Sequence, residues 1–346
     1  MHHIRKPTMK DVAIAASVSV GTVSKVLNND RTVASDRRSR VIAACESLSY
    51  AHNFVAASLK RRSTRTIGLV VPDIRNTFFA EVVEALEATT FAAGYSLITV
   101  MCAEDRSRAL EQIRTLIARQ VDGIAVIPSL GARIDLQSIL GKEFPCVLID
   151  RTEAHNDMPT VATDSEEAAY QGTRYLLSVG HRRIVFAANS TLLWNTRERI
   201  AGFERAIHED QAGDCEVAMV GVTIEEIRAS TARLLKSGRF TALFTCCNPV
   251  TLGALKAIQE IGVNIPNELS LLAFDDFDWL TLVRPFVSAI RQPAGEIGRE
   301  AWRLLSQQIA GEKIANRHAR FSADLVVRQS TCPPFVGEQR ALVDQT

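Results

Sequence analysis

The segment 19–27 places small and hydrogen-bonding residues on one side of a predicted helix. Ser19 is a typical helix N-cap residue, and Val23 and Val26 recur at the spacing of a buried helical face. The opposite side carries residues that are small or can donate a hydrogen bond: Gly21, Thr22, Ser24 and Lys25. Such side chains let a helix enter the major groove of DNA and contact base edges. The segment therefore predicts readout of duplex DNA.

A second group of polar residues stands where predicted strands end. In chain order these residues are Asp73, Asp150, Arg151, Asn189, Asn248, Asp275 and Asp276. In open parallel sheets, ligands bind beyond the carboxyl ends of the strands. The regular placement of polar residues at these ends therefore favours a ligand cleft over the alternative that they are ordinary solvated strand termini.

Short helices with capping signals must position the first group. Thr8 is the predicted N-cap of a helix over 9–16, with Asp11 at its third position. The predicted apolar face of that helix is Val12, Ala15 and Ala16. A third helix is predicted over 35–48, with Val41, Ile42, Cys45 and Leu48 buried. The N-terminal region is thus expected to be a small three-helix unit.

From residue 66 onwards, short apolar runs alternate with amphipathic segments. The predicted strands are 67–73, 95–102, 123–129, 145–150, 183–189, 242–247 and 269–276. The predicted helices are 78–93, 106–120, 165–179, 197–210, 224–236, 250–262 and 293–310. Continuous apolar strands that alternate with helices indicate parallel sheets covered on both faces.

Charge is distributed unevenly along the 346 residues, whose formal net charge is +1. Residues 1–66 hold 12 Lys and Arg against 4 Asp and Glu, a net charge of +8. The remainder holds 28 against 35, a net charge of −7. A basic head on an acidic body indicates that the head meets a polyanion, with a merely solvated basic surface as the alternative.

Several function classes are disfavoured by what the sequence lacks. It contains no G-x-G-x-x-G after a strand, no P-loop and no G-x-S-x-G elbow, so we expect no catalytic residues and no cofactor. No C-x-x-C or His/Cys cluster suggests a metal site. The seven scattered Cys, the missing apolar signal segment and the missing membrane span predict a cytoplasmic protein. The isolated His181 is expected to be structural.

The segment from MKDVAIAASVSVGTVSKVLNN to TRTIGLVVPDIRNTFF resembles the start of a LacI/GalR-family transcriptional regulator. The run DVA…A..VS..TVS.VLN is specific because it combines helix caps, core positions and a groove-facing turn. The resemblance covers nearly the whole chain, as far as DLVVRQST at 324–331. It implies an N-terminal all-α helix-turn-helix DNA-binding domain, followed by an α/β periplasmic-binding-protein-like effector domain of two Rossmann-like subdomains.

The resemblance also assigns DNA contacts. Val20 and Gly21 match the family's base-reading positions, and Thr22, Ser24 and Lys25 match its further base and phosphate contacts. Many members have Arg where this chain has Lys25, so a bidentate guanine contact would be replaced by a point charge.

A hinge helix over about 53–61 is implied by the same resemblance. Its matching positions are Asn53, Ala56, Ala57, Leu59 and Lys60. In the family, this segment becomes helical on operator DNA and wedges a Leu into the central minor-groove step. Leu59 is at that position, and an ordinary packed leucine is the alternative. Members usually carry Pro before the hinge Asn, whereas this chain has His52, which predicts a less rigid entry into the hinge.

The implied domains are 1–65 for the DNA-binding domain with its hinge, 66–332 for the effector-binding and dimerisation domain, and 333–346 for a tail. The implied N-subdomain is 66–162 plus 293–319, and the C-subdomain is 163–292 plus 320–332. Three crossing strands would join the subdomains around a small ligand. Helix 78–93 is a candidate for contact between two subunits, with cover for the sheet as the alternative.

Effector-binding positions follow from the family pattern residue by residue. They are Asp73, Arg75, Asn76, Phe78, Phe79, Arg151, Asp164, Arg197, Arg199, Asn248, Asp275 and Trp279. Phe277 and Gln292 are expected neighbours. Pro249 and Ser165 replace an Asp and an Asn that are usual in the family. Because one carboxylate is lost and Arg75 is gained, we predict a positive cleft and an anionic effector such as a sugar acid or sugar phosphate. The alternative is that Arg75 points into solvent.

The sequence thus predicts an effector-controlled transcriptional regulator, a repressor in most of the family, that binds a pseudo-palindromic operator as a homodimer. Two other function classes remain open at this stage. The body alone would suit a free sugar-binding protein, which the basic head disfavours. An enzyme on a similar α/β scaffold is disfavoured by the missing motifs.

Overall fold

The computed structural model describes residues 7–27, 30, 32–50, 63–129, 136–141, 143–151 and 158–334. These residues form two units, one within Met1–Thr64 and one within Arg65–Thr346. The hinge positions Asn53, Ala56, Ala57, Leu59 and Lys60 lie outside the described residues, as do 335–346 of the predicted tail.

The first unit consists of the helices α1 (Met9–Ala15), α2 (Val20–Leu27) and α3 (Ser35–Ser47). The predicted N-cap Thr8 is observed, and it forms a capping box with Asp11 because each side chain accepts a hydrogen bond from the other residue's backbone. Ser19 Oγ accepts a hydrogen bond from the Thr22 amide at 3.1 Å, as expected for a cap of α2. These bonds satisfy backbone amides that the first turn of a helix leaves without partners.

Three small helices pack around a core of Val12, Ala13, Ala16, Val23, Val26, Val41 and Ala44. Two predictions of burial were wrong: Ala15 is exposed and Ile42 is 47% exposed. Val41 and Ala44, three positions apart, form the buried face of α3, and Ile42 points about 100° away from Val41 on the exposed side of that helix. Ala13 takes the inward position that was predicted for Ala15.

The second unit begins with a six-stranded parallel sheet in the order β11-β5-β4-β3-β1-β2. Its strands are β1 (Thr66–Val71), β2 (Ser96–Met101), β3 (Gly123–Val126), β4 (Cys146–Ile149), β5 (Thr160–Thr163) and β11 (His318–Phe321). The helices of this half are α4 (Thr77–Ala92), α5 (Arg106–Ala118), α6 (Leu136–Leu140) and α11 (Ala294–Ile309). Apolar clusters on both faces of the sheet explain the continuous apolar runs of its central strands.

A second six-stranded sheet has the order β12-β10-β9-β8-β6-β7 and is parallel except for β12. Its strands are β6 (Ile184–Ala188), β7 (Glu216–Met219), β8 (Ala242–Thr245), β9 (Ser270–Phe274), β10 (Ser288–Arg291) and β12 (Asp324–Val326). The helices of this half are α7 (Ser165–Ser178), α8 (Trp194–Asp210), α9 (Ile224–Lys236) and α10 (Asn248–Ile261), with a short 3₁₀ helix over Asp278–Thr281. A single apolar cluster rich in Phe lies beneath these helices.

The chain passes between the two sheets three times, after β5, after β10 and after β11. Residue 163 and residues 320–321 belong to strands of the first sheet. Because of these three crossings, each half of the unit is built from separate stretches of sequence. Opening and closing of the space between the halves would therefore require rotation at these short connections.

Two glycines allow close approach of helices. A Cβ atom on Gly202 of α8 would lie 2.0 Å from the Glu166 carbonyl oxygen in α7. A Cβ atom on Gly298 of α11 would lie 2.7 Å from the Val82 carbonyl oxygen in α4. Since these neighbours are backbone atoms, any larger residue would force the helices apart.

Helix α4 covers the first sheet with Phe79, Val82 and Leu86, while Phe91 near its end is 74% exposed. The sheet-covering role is therefore shown, and subunit contact by this helix stays a prediction. Among the described residues, no helix is long and apolar enough to cross a membrane. Within that same part of the chain, all seven cysteines are free thiols.

Candidate functional site

A cavity of about 290 Å³ lies between the carboxyl ends of the two sheets. Residues that immediately follow strands supply much of its wall, as the strand-end pattern predicted. These are Asp150, Asn189, Asp275 and Gln292, together with Asp73, Arg151 and Cys247 one or two positions further on. The beginnings of α4 and α8 supply most of the remainder: Asn76, Phe78, Phe79, Leu193, Asn195, Thr196 and Arg199. Glu104, Val222 and Pro249 complete the lining.

Asp150 is the carboxylate with an open hydrogen-bonding position. It is 3% exposed, and its Oδ2 accepts a hydrogen bond from Asn195 Nδ2 at 3.0 Å. In the part of the chain that the structure describes, no donor reaches Oδ1. Burial raises the pKa of Asp150, and the Arg199 charge partly offsets this rise. An unpaired buried oxygen in a cavity wall is positioned to accept a hydrogen bond from a ligand.

Asp275, on the opposite wall, already has partners for both oxygens. Oδ2 accepts a hydrogen bond from the Asn248 amide at 3.0 Å, and Oδ1 accepts one from Gln292 Nε2. Gln292 is itself fixed because its Oε1 accepts a hydrogen bond from Thr163 Oγ1 at 2.7 Å. Burial raises the pKa of Asp275, which the Arg199 charge again lowers in part.

Arg199 is buried, with 3% exposure, and its charge acts on both of these carboxylates. Its Nη1 donates to the Cys246 carbonyl oxygen at 2.7 Å, and its guanidinium carbon lies 3.6 Å from the centre of the Phe274 ring. A hydrogen bond of 3.4 Å to Ser165 Oγ completes its described partners. These contacts fix the guanidinium plane and make its charge part of the cavity wall.

Arg151 contributes little free positive charge. Its Nη1 donates to both oxygens of Glu104 at 2.8 and 2.9 Å, and its guanidinium carbon lies 5.2 Å from the Phe79 ring centre. Of the four carboxylates in the cavity wall, Glu104 is paired with Arg151 and Asp73 is paired with Arg75, so Asp150 and Asp275 remain against the single charge of Arg199. The cavity is therefore acidic, and the predicted positive cleft was wrong.

The position of Arg75 explains most of the error in the predicted charge of the cleft. Its side chain is 89% exposed and forms an ion pair with Asp73 at 2.7 Å, which holds the pKa of Asp73 below its ordinary value. The spacing of two residues allows this local pairing, so Arg75 turns away from the cavity wall. The alternative of a solvent-facing Arg75, which the sequence left open, is the one observed.

Four other predicted effector residues also lie outside the cavity lining. Asp164 caps α7 by accepting a hydrogen bond from the Glu167 amide, and Arg197 is exposed over the Trp194 ring at 4.7 Å. Trp279 stacks on Phe277, and Asn248 contributes a backbone amide to Asp275. The lining residues that match the prediction are Asp73, Asn76, Phe78, Phe79, Arg151, Arg199 and Asp275.

Sequence reasoning missed several lining residues. Asp150 and Asn189 were visible as strand-end polar residues, but the family pattern did not select them. Asn195 and Thr196 lie one turn before Arg199 on α8, a helical spacing that could have indicated them. Glu104 lies in a loop, where no periodic signal was available.

Helix α2 of the first unit has the exposed side that the sequence predicted. Val20, Gly21 and Lys25 are exposed, while Thr22 and Ser24 are half-buried. Thr22 Oγ1 lies 3.0 Å from Ser19 Oγ, so these hydroxyls are partly engaged with each other. A Cβ atom on Gly21 would meet only Ser19 Oγ, at 3.7 Å. The small size of this residue is thus not needed for packing within the described residues.

Comparison with known proteins agrees with the description of the helical first unit and of the α/β second unit. The profile of bacterial regulatory proteins of the lacI family matches residues 8–53, and a periplasmic binding protein-like domain matches residues 173–331. Catabolite control protein A of Priestia megaterium is 30% identical over 94% of this chain and 99% of its own length. The chain belongs to the lacI family of bacterial regulatory proteins. It is accordingly a DNA-binding regulator of transcription with a helix-turn-helix head.

Other relatives are similarly close to this regulator. The transcriptional repressor PurR of Vibrio vulnificus is 32% identical over 93% of this chain and 98% of its own length. The ribose operon repressor of Haemophilus influenzae is 31% identical over 93% of this chain and 98% of its own length. The lac repressor dimer bound to operator has the same fold, with a TM-score of 0.84 over 95% of this chain and 100% of its own, at 23% identity. A regulator from Enterococcus faecium with bound ribose has a TM-score of 0.69 over 78% of this chain and 99% of its own, at 25% identity.

Proposed function

We propose that this regulator represses transcription from a pseudo-palindromic operator, and that a neutral, polyhydroxylated molecule of monosaccharide size controls its operator affinity. The observation that carries the effector class is the unpaired Oδ1 of Asp150 in a buried, acidic cavity. The anionic effector predicted from the sequence is replaced by this proposal, because its premise of a positive cleft was wrong.

Hydroxyl groups match the cavity chemically. Each sugar hydroxyl is a hydrogen-bond donor, and Asp150 Oδ1 offers a buried charged acceptor that has no other described donor. A hydrogen bond to a charged group contributes about 1.5–3 kcal/mol, more than one between neutral groups. An anionic ligand would instead bring a further negative charge beside Asp150 and Asp275, which share the single charge of Arg199, at an electrostatic cost.

The size and the apolar part of the wall also favour a small ring. The cavity volume of about 290 Å³ lies at the lower end of the range for small-molecule sites, ~300–1,000 Å³. Phe78 and Phe79 supply aromatic surface that can pack against the C–H face of a sugar. The ribose seen in the Enterococcus faecium regulator and the name of the Haemophilus influenzae repressor make ribose the first compound to test.

Because both halves of the second unit contribute to the wall, a bound ligand would favour one relative position of the two sheets. In our proposal this change reaches the hinge, whose positions include Asn53, Ala56, Ala57, Leu59 and Lys60. The effector and the operator then influence each other's affinity to the same extent.

The DNA-binding part of the proposal assigns base and phosphate contacts to Val20, Gly21, Thr22, Ser24 and Lys25 on α2. A homodimer would place two copies of α2 about one helical turn, ~34 Å, apart on the operator. The +8 charge of residues 1–66 supports this assignment, since Lys and Arg in a DNA-binding head release counterions from the phosphates.

Isothermal titration calorimetry of the full chain tests the effector class. The compounds are ribose, glucose, galactose, gluconate, glucose 6-phosphate and a planar nucleobase, each at the same pH and salt concentration. We expect at least one neutral sugar to bind, and its sugar acid or phosphate to bind at least about tenfold more weakly. Binding of only the anionic compounds, or of only the nucleobase, would refute the proposed class.

A further inference from the structure

Two adjacent thiols mark the cavity wall at the end of β8. Cys246 is fully buried, whereas Cys247 is half-buried and lines the cavity. Their Sγ atoms lie 3.6 Å apart. The other five cysteines are distributed over the rest of the sequence, so this is the pair of adjacent cysteines in the chain.

We infer that Cys246 and Cys247 form an oxidation site that a hydroperoxide converts to an intramolecular disulfide, and that this conversion weakens effector binding. The second clause depends on the effector function proposed above. The first clause depends only on the two thiols and their surroundings.

Cys247 is placed to react first. It is the N-cap residue of α10, and a helix N-terminus stabilises a thiolate. The hydrogen bond from Cys246 Sγ holds the pKa of the Cys247 thiol below its ordinary value, although burial opposes this shift. Burial raises the pKa of Cys246, so it remains the protonated partner. The reactive thiol therefore borders the cavity, and the second thiol lies beside it.

The chemistry balances in two steps. The Cys247 thiolate attacks the hydroperoxide, which leaves a sulfenic acid on Cys247 and releases hydroxide or alkoxide. Cys246 Sγ, as it loses its proton, then attacks the Cys247 sulfur, which forms the S–S bond and releases water. The two thiols lose two electrons in total, and the hydroperoxide gains them.

Ring closure must disturb the peptide that Arg199 holds. Cys247 has an extended backbone, with φ −170° and ψ 169°, and Arg199 Nη1 donates to the Cys246 carbonyl oxygen at 2.7 Å. Closing 3.6 Å to a bond of about 2.05 Å forms an eight-membered ring that includes the peptide between the two cysteines, and we expect this peptide plane to rotate as the ring closes. That plane carries the Cys246 carbonyl, so its rotation removes a hydrogen bond that orients Arg199 in the cavity wall.

A disulfide between neighbouring residues is also expected to be easily reversed. Consecutive Cα atoms are about 3.8 Å apart, below the usual range of ~4.4–6.8 Å for disulfide-linked residues. Strained disulfides have higher reduction potentials and are readily reduced by cellular thiols. The pair therefore suits a transient signal better than a permanent link.

Thiol mapping tests the oxidation site without any ligand. The reduced full chain is treated with increasing hydrogen peroxide, alkylated and digested with trypsin, which releases the peptide 240–256 that contains both residues. We expect this peptide to lose two hydrogen atoms and to escape alkylation, and to regain both thiols after dithiothreitol. Complete alkylation of both residues at peroxide levels that oxidise Cys215, or overoxidation of Cys247 without the link, would overturn the inference.

A second measurement tests whether the disulfide weakens effector binding. We expect the oxidised chain to bind its sugar at least about tenfold more weakly than the reduced chain, with recovery in dithiothreitol. Cys246→Ser should abolish the peroxide effect, whereas Cys215→Ser, a matched change of another thiol, should keep it. Unchanged sugar affinity in the linked protein would overturn the effect on binding. If the reduced chain binds no sugar at all, the proposed effector class fails, and thiol mapping still decides the oxidation site.

Discussion

Replacing Asp150 with Asn tests the cavity chemistry at a single atom. Asn195 Nδ2 donates to Asp150 Oδ2 at 3.0 Å, and Asn195 Oδ1 accepts from the Thr196 amide, which fixes the Asn195 amide. The new side chain would therefore turn its oxygen towards Asn195. Its NH₂ group would take the position of Oδ1, so that an acceptor in the cavity becomes a donor.

The expected loss of sugar affinity follows from replacing this hydrogen-bond acceptor with a donor. A ligand hydroxyl that donates to a charged acceptor contributes about 1.5–3 kcal/mol, which corresponds to a fall in affinity of about 10–150-fold. The fold should suffer little, because the neutral residue removes the desolvation cost that raises the pKa of Asp150, and Asp275 still interacts with the Arg199 charge. We expect calorimetry to show the loss of sugar affinity and thermal unfolding to show no loss of stability.

Asp73→Asn is the matched control. Asp73 also lines the cavity, but its two oxygens already accept hydrogen bonds from Arg75 at 2.7–3.0 Å. We expect this change to alter sugar affinity much less than Asp150→Asn. Equal losses in the two variants, or sugar affinity retained in Asp150→Asn, would refute the assignment of Oδ1 as the ligand acceptor.

Three further predictions concern packing, DNA contact and pH. Gly202→Ala should lower the free energy of unfolding in urea by ~1–3 kcal/mol or more, because the new Cβ would overlap a backbone carbonyl of α7. Gly213→Ala is the control, since its Cβ meets nothing within 4 Å. Equal stability of the two variants would contradict the close helix contact. Gly21→Ala should preserve folding but weaken operator binding, measured by fluorescence anisotropy, since the added methyl lies on the exposed side of α2. Unchanged operator affinity would show that this position lies outside the DNA interface. Burial lowers the pKa of His181, so the unfolded chain binds more protons and stability should fall as pH decreases below about 6.5. Replacing the exposed His208 with Gln should leave this pH dependence of stability unchanged. If His181→Gln also leaves it unchanged, the pH dependence belongs to another group.

Local signals made much of the fold predictable. The capping box of Thr8 and Asp11 and the buried Val23 and Val26 depend on neighbours within one or two helical turns, so the sequence contains the information directly. The parallel sheets were predictable because fully buried strands need continuous apolar runs. The predicted burial of Ile42 was wrong because the packing of α3 against α1 and α2 buries Val41 and Ala44 and leaves Ile42 on the exposed side.

Elements that depend on distant partners were not predictable in this way. The strands β5, β10, β11 and β12 contain at most two consecutive apolar residues each, and β7 is half-buried or exposed along its length, so these strands lack the continuous apolar run of a buried strand. They become strands because neighbouring strands in the folded sheet supply their hydrogen bonds, on both sides for β5 and β10 and on one side for the edge strands β7, β11 and β12.

The candidate site shows the same division. Strand-end position indicated Asp73, Asp150 and Asp275, because topology alone brings these ends together. Charge balance was not predictable by counting arginines, since Arg75 pairs with its neighbour Asp73 and Arg151 with the distant Glu104. Only the packed structure shows which side chains neutralise each other before a ligand arrives.

The most direct test of the account is the operator affinity of the full chain with and without its bound sugar. A pseudo-palindromic duplex selected by the protein from a random pool serves as the operator, and fluorescence anisotropy measures binding at fixed salt concentration. We predict that the sugar changes operator affinity by about 5–150-fold, as coupling of ~1–3 kcal/mol requires, and that Asp150→Asn binds the operator without responding to the sugar. Operator affinity that stays the same while the sugar demonstrably occupies the cavity would contradict the account.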